Sequence, residues 1–177
     1  IRTVRILGVK DETPTVKSFT FRDRLCAKAE PGQFVMVWIP GVDEVPMTLS
    51  AMSAEQLSAI TVEKVGVATR ALHKMKVGDV IGIRGPFGNS FTPIKGSVML
   101  VGGGTGLTSL ASLAEKIADL DGKITFLLGA KTCGQLLFLD RVKTALSKVK
   151  GNVVAVTEDS SYGLKGLVTR PAERFLA

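Results

Sequence analysis

The run Gly102-Gly103-Gly104-Thr105-Gly106 constrains this chain more than any other stretch. It follows the apolar segment Ser97 to Val101 and precedes a segment in which Leu107, Leu110, Ala111, Ala114 and Ile117 recur at helical spacing. A glycine loop between a strand and a helix lets backbone N–H groups come close to a pyrophosphate, and the opening helical turn adds unpaired donors. Gly103, Gly104, Thr105 and Gly106 are therefore candidate dinucleotide-binding residues. The G-x-G-x-x-G fingerprint is met in part, because Ser109 takes the last place of Gly104-x-Gly106-x-x-Ser109. No acidic residue ends the next strand, where Gly129-Ala130-Lys131 stands, so the fingerprint leaves NADH and NADPH undivided.

The hydrophobic period changes along the chain. In the first ninety residues Thr15 to Phe21 and Ala59 to Val65 alternate with period two, Gln33 to Ile39 is an apolar strand, and Val80 to Arg84 is another. Thr69 to Met75 reads as one short helix among them. Short strands with turn chemistry between them predict a small antiparallel β-barrel of the Greek-key type. Beyond the glycine loop, Lys123 to Leu128 is a strand, Leu136 to Val149 an amphipathic helix and Val153 to Thr157 a third strand. That order predicts a parallel α/β sheet with right-handed crossovers. The expected division is a barrel over residues 1–94 and a nucleotide-binding α/β domain over 95–177, with the linker at Phe91 to Gly96.

Charge and composition remove other classes. The net charge of +7 comes from scattered Lys and Arg residues without interleaved aromatics, which suits anionic cofactors or an acidic partner better than nucleic acid. No stretch reaches the roughly 20 apolar residues of a membrane span, and the first residues lack the apolar block of a signal peptide, so a soluble cytoplasmic protein is expected. Cys26 and Cys133 stand far apart, outside any C-x-x-C pair, and cannot supply a four-ligand metal or iron–sulfur site. His73 is the only histidine and reads as an ordinary helix residue. Nucleophile elbows, H-E-x-x-H pairs and P-loops are missing, which leaves hydrolase chemistry without support.

Several further segments matter through their order: Pro31-Gly32-Gln33-Phe34-Val35, Val45-Pro46-Met47-Thr48, Gly66-Val67-Ala68-Thr69, Gly85-Pro86-Phe87-Gly88, the glycine loop, and Thr157-Glu158-Asp159-Ser160-Ser161-Tyr162-Gly163-Leu164-Lys165-Gly166. In this order they resemble the ferredoxin-reductase superfamily, and within it the electron-transfer subunits of heterotetrameric dihydroorotate dehydrogenase. The resemblance implies a barrel that holds FAD and an α/β domain that holds NAD(P)H. It places Thr48 where a hydroxyl reaches the flavin N5 as the one catalytic residue, with Met47 against the ring. Val45 and Pro46 match the same flavin motif, Val62, Glu63 and Lys64 the strand beside the ribityl and phosphate, and Gly66, Ala68 and Thr69 the pyrophosphate turn. Val45 replaces the motif's usual arginine, so Lys64 or Arg70 is expected to supply that charge. Superfamily members of this kind carry a [2Fe-2S] centre on four cysteines beyond the position of Ala177, and those ligands are absent here. The chain thus reads as truncated before that segment or as a variant without the cluster. The implied function is electron transfer between NAD(P)H and a catalytic dihydroorotate dehydrogenase subunit in pyrimidine biosynthesis, by hydride delivery to flavin N5 where the two domains meet. Two alternatives stand: a subunit of a ferredoxin–NADP oxidoreductase or sulfide dehydrogenase, and a barrel scaffold that has lost its cofactors.

Overall fold

The computed structural model describes the chain apart from residues 54, 93, 95, 121, 148 and 177 and the side chains of residues 174–176. Pro93 and Lys95 of the expected linker, and Lys148 of the expected second helix, lie outside the described residues. The chain divides into two compact units, Ile1–Phe91 and Thr92–Ala177.

The first unit is a closed antiparallel barrel. Its strands are β1 (Arg2–Thr13), β2 (Val16–Arg22), β3 (Phe34–Ile39), β4 (Asp43–Met52), β5 (Leu57–Glu63) and β6 (Val80–Phe87), paired in the order β1-β2-β5-β4-β3-β6. The barrel closes where β1 meets β6, with Val4 opposite Ile81. Alternation sorts each strand: Val35, Val37 and Ile39 of β3 enter the core, while Phe34, Met36 and Trp38 face out. Phe19, Phe21, Ile60, Leu49, Ile81 and Ile83 complete a core from which water is excluded. Each such side chain contributes about 1.5–3 kcal/mol by burial. Helix α1 (Val67–Leu72) buries Ala68 and Leu72 and touches β3 and β4. It starts two residues and ends three residues earlier than the spacing predicts, with His73 as its C-cap.

The second unit is a four-stranded parallel sheet. Strands β7 (Ser97–Gly103), β8 (Lys123–Ala130), β9 (Gly151–Thr157) and β10 (Leu164–Lys165) lie in the order β10-β9-β8-β7. Helices α2 (Leu107–Ala118) and α3 (Leu139–Leu146) follow β7 and β8 and pack on one another, as two crossovers in the same direction require. Leu107, Ala111, Ala114 and Ile117 of α2 are buried, and Ile124, Phe126 and Leu128 form the centre of β8. Helix α4 (Thr169–Leu176) ends the chain. Helix α3 is shorter than the expected Leu136–Val149. The chain first makes a 3₁₀ turn at Cys133–Gln135 and then a left-handed residue at Phe138 (φ 61°), whose ring lies 5.1 Å from the Arg141 guanidinium.

Candidate functional site

In the barrel, β4 runs against β3 with Phe34 opposite Thr48, Val35 opposite Met47, Met36 opposite Pro46 and Val37 opposite Val45. Directly opposed residues share a face. Val35 and Val37 are wholly buried, so Val45 and Met47 turn inward, and both pack half-buried against the core. Pro46 and Thr48 stand on the outer wall with Met36 and Phe34. The wall is aromatic beside Thr48, where the Phe34 and Phe87 rings lie 5.8 Å apart. The structure thus separates Thr48 from Met47, which sequence reading had placed at one ring. A nearby cation is Arg84, which grips Glu44 with two bonds of 2.8 and 2.7 Å and so holds the half-buried Glu44 carboxyl below its ordinary range.

The end of β5 and the start of α1 come to the same region through the contact of α1 with β4. Val62 faces the core, whereas Glu63 and Lys64 are exposed. Thr69 is buried, and its hydroxyl accepts the N–H groups of Val65 (3.0 Å) and Gly66 (2.8 Å). This is the bond by which a third helical residue reaches back to cap its own helix. The hydroxyl is therefore occupied, and a phosphate at this turn would meet backbone N–H groups instead. Arg70 donates to the Val65 carbonyl at 3.1 Å. His73 places Nε2 2.8 Å from the Val62 carbonyl, which can only accept, so Nε2 carries the proton. The histidine fastens α1 to β5.

In the α/β unit the five-residue loop divides by role. A Cβ on Gly102 would meet Leu110 at 2.7 Å, and one on Gly103 would meet the Gly129 carbonyl oxygen at 2.9 Å. These two glycines serve close packing. Gly104 holds φ +55°, and a Cβ there or on Gly106 would meet nothing within 4 Å. Gly104 and Gly106 therefore leave open space along the backbone, which is what a pyrophosphate needs. Thr105 is held by its carbonyl, which accepts the Thr108 hydroxyl at 2.8 Å.

Two acidic residues stand at the exit of β9. The N–H of Glu158 donates to the Ala130 carbonyl (3.1 Å) and that of Asp159 to the Lys131 carbonyl (3.2 Å), so the exit of β9 folds across the end of β8. Glu158 is exposed there. Asp159 is occupied, since Ser161 donates to it from its hydroxyl (2.6 Å) and its N–H (3.0 Å), which holds the carboxyl low. Ser161 in turn accepts the Cys133 N–H at 2.7 Å. Thr157-Glu158-Asp159 thus lies at the end of the strand after the one that the fingerprint searches.

Among the described residues no group of three or more His, Cys, Asp or Glu side chains is placed to hold a metal. Cys26 is buried and Cys133 exposed, and they belong to different units. Two such thiols do not fit an iron–sulfur cluster.

No family model matches the chain. It is 46% identical over 164 residues to a protein of Methanocella arvoryzae described as a probable dihydroorotate dehydrogenase B (NAD(+)), electron transfer subunit, covering 93% of this chain and 60% of that one. A protein of Methanocaldococcus jannaschii with the same description is 38% identical over 172 residues, covering 97% of this chain and 62% of the relative. Among solved structures, the NADH-dependent reduced ferredoxin-NADP oxidoreductase superposes with a TM-score of 0.87 at 28% identity, over 99% of this chain and 64% of the other. The chain has the fold of the ferredoxin-reductase-like FAD/NAD-binding proteins. The flavohaemoglobin-like FAD/NAD-binding domain of a Vibrio cholerae nitric oxide dioxygenase, at 22% identity and a TM-score of 0.83, shares the fold over 93% of this chain and 78% of that domain. This chain spans about 60% of the length of the first curated relatives it matches.

The residues present fit what a ferredoxin-reductase fold binds. The barrel offers an outward hydroxyl beside aromatic rings, and the α/β unit offers glycine backbone bordered by open space.

Proposed function

We propose that the chain binds FAD on its barrel and a nicotinamide dinucleotide on its α/β unit, and passes electrons between NAD(P)H and the catalytic subunit of a dihydroorotate dehydrogenase. The observation that carries this reading is 46% identity across nearly the whole chain to a relative described as such an electron-transfer subunit. A bound flavin would supply the exchange between hydride and single electrons. The chain's own residues place and hold the groups. Thr48 presents its hydroxyl toward N5, Pro46 and Phe34 shape the wall beside it, and Val62, Glu63 and Lys64 line the chain of the cofactor. The turn that Gly66 opens gives the N–H groups of Ala68 and Thr69 to the pyrophosphate, with Lys64 or Arg70 as countercharge in place of an arginine at Val45. Gly103 sets the loop against β8, and Gly104, Thr105 and Gly106 receive the nicotinamide dinucleotide. Its ribose 2′-hydroxyl meets Glu158, which favours NADH over the 2′-phosphorylated NADPH. Val45 and Met47 support the flavin strand from the core side.

Purified chain incubated with FAD should emerge from gel filtration yellow, with flavin near one per chain. Colourless protein would overturn the reading in favour of a scaffold that has lost its cofactors. Glu158→Arg should lower the preference for NADH over NADPH by at least about tenfold, the scale of one charged contact. An unchanged ratio of kcat/KM values would remove Glu158 from recognition of the ribose.

A further inference from the structure

The loop after β9 is tied down at most of its polar groups. Residues 158–163 join two neighbouring parallel strands, and β10 lies beside the last residues of β9, with Leu164 opposite Val156 and Lys165 opposite Thr157. A parallel connection ordinarily takes a dozen residues or more, so this one folds straight back over the strand it has left. Thr157 closes it. The residue is wholly buried, and its hydroxyl donates to the Tyr162 carbonyl at 2.8 Å and accepts the Tyr162 N–H at 3.0 Å. Its carbonyl accepts the N–H groups of Gly166 at 3.0 Å and Ser160 at 3.3 Å. Gly163, at φ 67°, runs so close to β9 that a Cβ there would strike the Ala155 carbonyl. The loop is also bound to its surroundings. The N–H groups of Glu158 and Asp159 reach the exit of β8, Ser161 accepts the Cys133 N–H, and the Tyr162 hydroxyl accepts Lys143 Nζ of α3 at 2.9 Å. Asp159 is taken up by the hydroxyl and N–H of Ser161. Of the loop's side chains, only those of Glu158 and Ser160 make no bond among the described residues, and both residues are exposed.

We propose that Thr157, Asp159 and Ser161 are positioning residues for the choice of dinucleotide: they hold the Glu158 backbone in one shape before any ligand arrives. The proposal rests on the reading of Glu158 as the ribose contact. A carboxylate on a mobile loop swings away from a 2′-phosphate and escapes the like-charge repulsion. Ordering such a loop on a ribose hydroxyl also costs conformational entropy. On a fixed loop neither happens. The hydroxyl of NADH meets a ready acceptor, and the phosphate of NADPH meets a charge that does not yield. Selectivity then depends on residues that never touch the ligand. A loop held only for the stability of the fold would, when loosened, weaken both dinucleotides alike.

The test is equilibrium binding of NADH and NADPH to the purified chain, which needs no flavin, read as the ratio of the two Kd values. Thr157→Val keeps the buried shape and removes the hydroxyl, Thr157→Ser restores it, and Ser161→Ala loosens the loop at an exposed residue. Thr157→Val and Ser161→Ala should each lower the preference for NADH by about two- to tenfold, the range that one hydrogen bond spans. Thr157→Ser should recover the parent ratio. In a Glu158→Gln background, Thr157→Val should leave the ratio where Glu158→Gln alone puts it. Should Thr157→Val fail to fold, Ser161→Ala decides by the same ratio. Parent ratios in these variants beside a lowered ratio in Glu158→Gln would overturn the positioning role alone. A parent chain that binds NADH no better than NADPH, or a Glu158→Gln variant with the parent ratio, strikes the Glu158 reading and takes the positioning role with it.

Discussion

Asp23 ties three parts of the barrel together. Its Oδ1 accepts the N–H groups of Leu25 (2.9 Å) and Cys26 (2.8 Å), its Oδ2 takes Arg2 Nε at 2.6 Å, and Arg2 continues to the Gly85 carbonyl at 2.9 Å. Burial alone would raise the Asp23 carboxyl, but the bonds from Arg2 and the Cys26 backbone outweigh it and hold the group below its ordinary range. A carboxyl held low adds stability above its unfolded value, about pH 4, and loses that stability as pH falls through the folded value. Asp23→Asn should therefore cost about 2–4 kcal/mol at neutral pH, with little loss left to suffer in acid. The lower part of that range is favoured because Arg2 keeps 35% of its side chain in water. Urea melts at neutral and acid pH measure this, and a variant as stable as the parent at neutral pH would show the clamp to be idle. The adjoining Cys26 thiol is pushed up to about 12, first by burial and then by Asp23, so it stays neutral and shielded. One thiol per native chain, Cys133, should react with a disulfide reagent at about pH 8, and both in denaturant. Two fast thiols in the native chain would contradict the burial of Cys26.

At the scale of elements, the strands were legible because alternation and apolar runs are local properties. Gln33 to Ile39 and Lys123 to Leu128 were read within one or two residues of β3 and β8. Helix α3 was misjudged because Leu136, Leu137 and Phe138 continue the apolar pattern while the backbone there is a turn and a left-handed residue. The glycine loop was legible as a strand-to-helix connection, yet its spacing does not say which glycines pack and which stay open. That division makes a paired prediction. Gly103→Ala should destabilise the α/β unit by about 1–3 kcal/mol, because the new Cβ meets the Gly129 carbonyl. Gly106→Ala, with a helical φ of −59° and open space, should fold as well as the parent and bind NADH more weakly. Thermal melts and NADH titration separate the two, and equal NADH affinity for Gly106→Ala and the parent would remove the loop from dinucleotide binding. Other parts of the site were hidden because they are products of pairing. The inward turn of Met47 follows from its register with Val35, the occupied hydroxyl of Thr69 from the turn before α1, and the position of Glu158 from two backbone bonds between the ends of β8 and β9.

At the scale of the molecule, two units with separate cores carry two kinds of surface: an outer barrel wall with Thr48, and a sheet end with open glycine backbone. A net charge of +7 would attract the anionic phosphates of FAD or of a nicotinamide dinucleotide. Binding to the folded barrel alone would stabilise it by about 2.7 kcal/mol at FAD a hundredfold above its Kd. In the proposed function both cofactors bind this one chain and a hydride passes from nicotinamide to flavin. Anaerobic addition of NADH to FAD-loaded chain, followed by visible absorbance, tests it directly. The yellow flavin band should bleach with one equivalent of NADH per flavin. A band that stays yellow under excess NADH and under excess NADPH would contradict it.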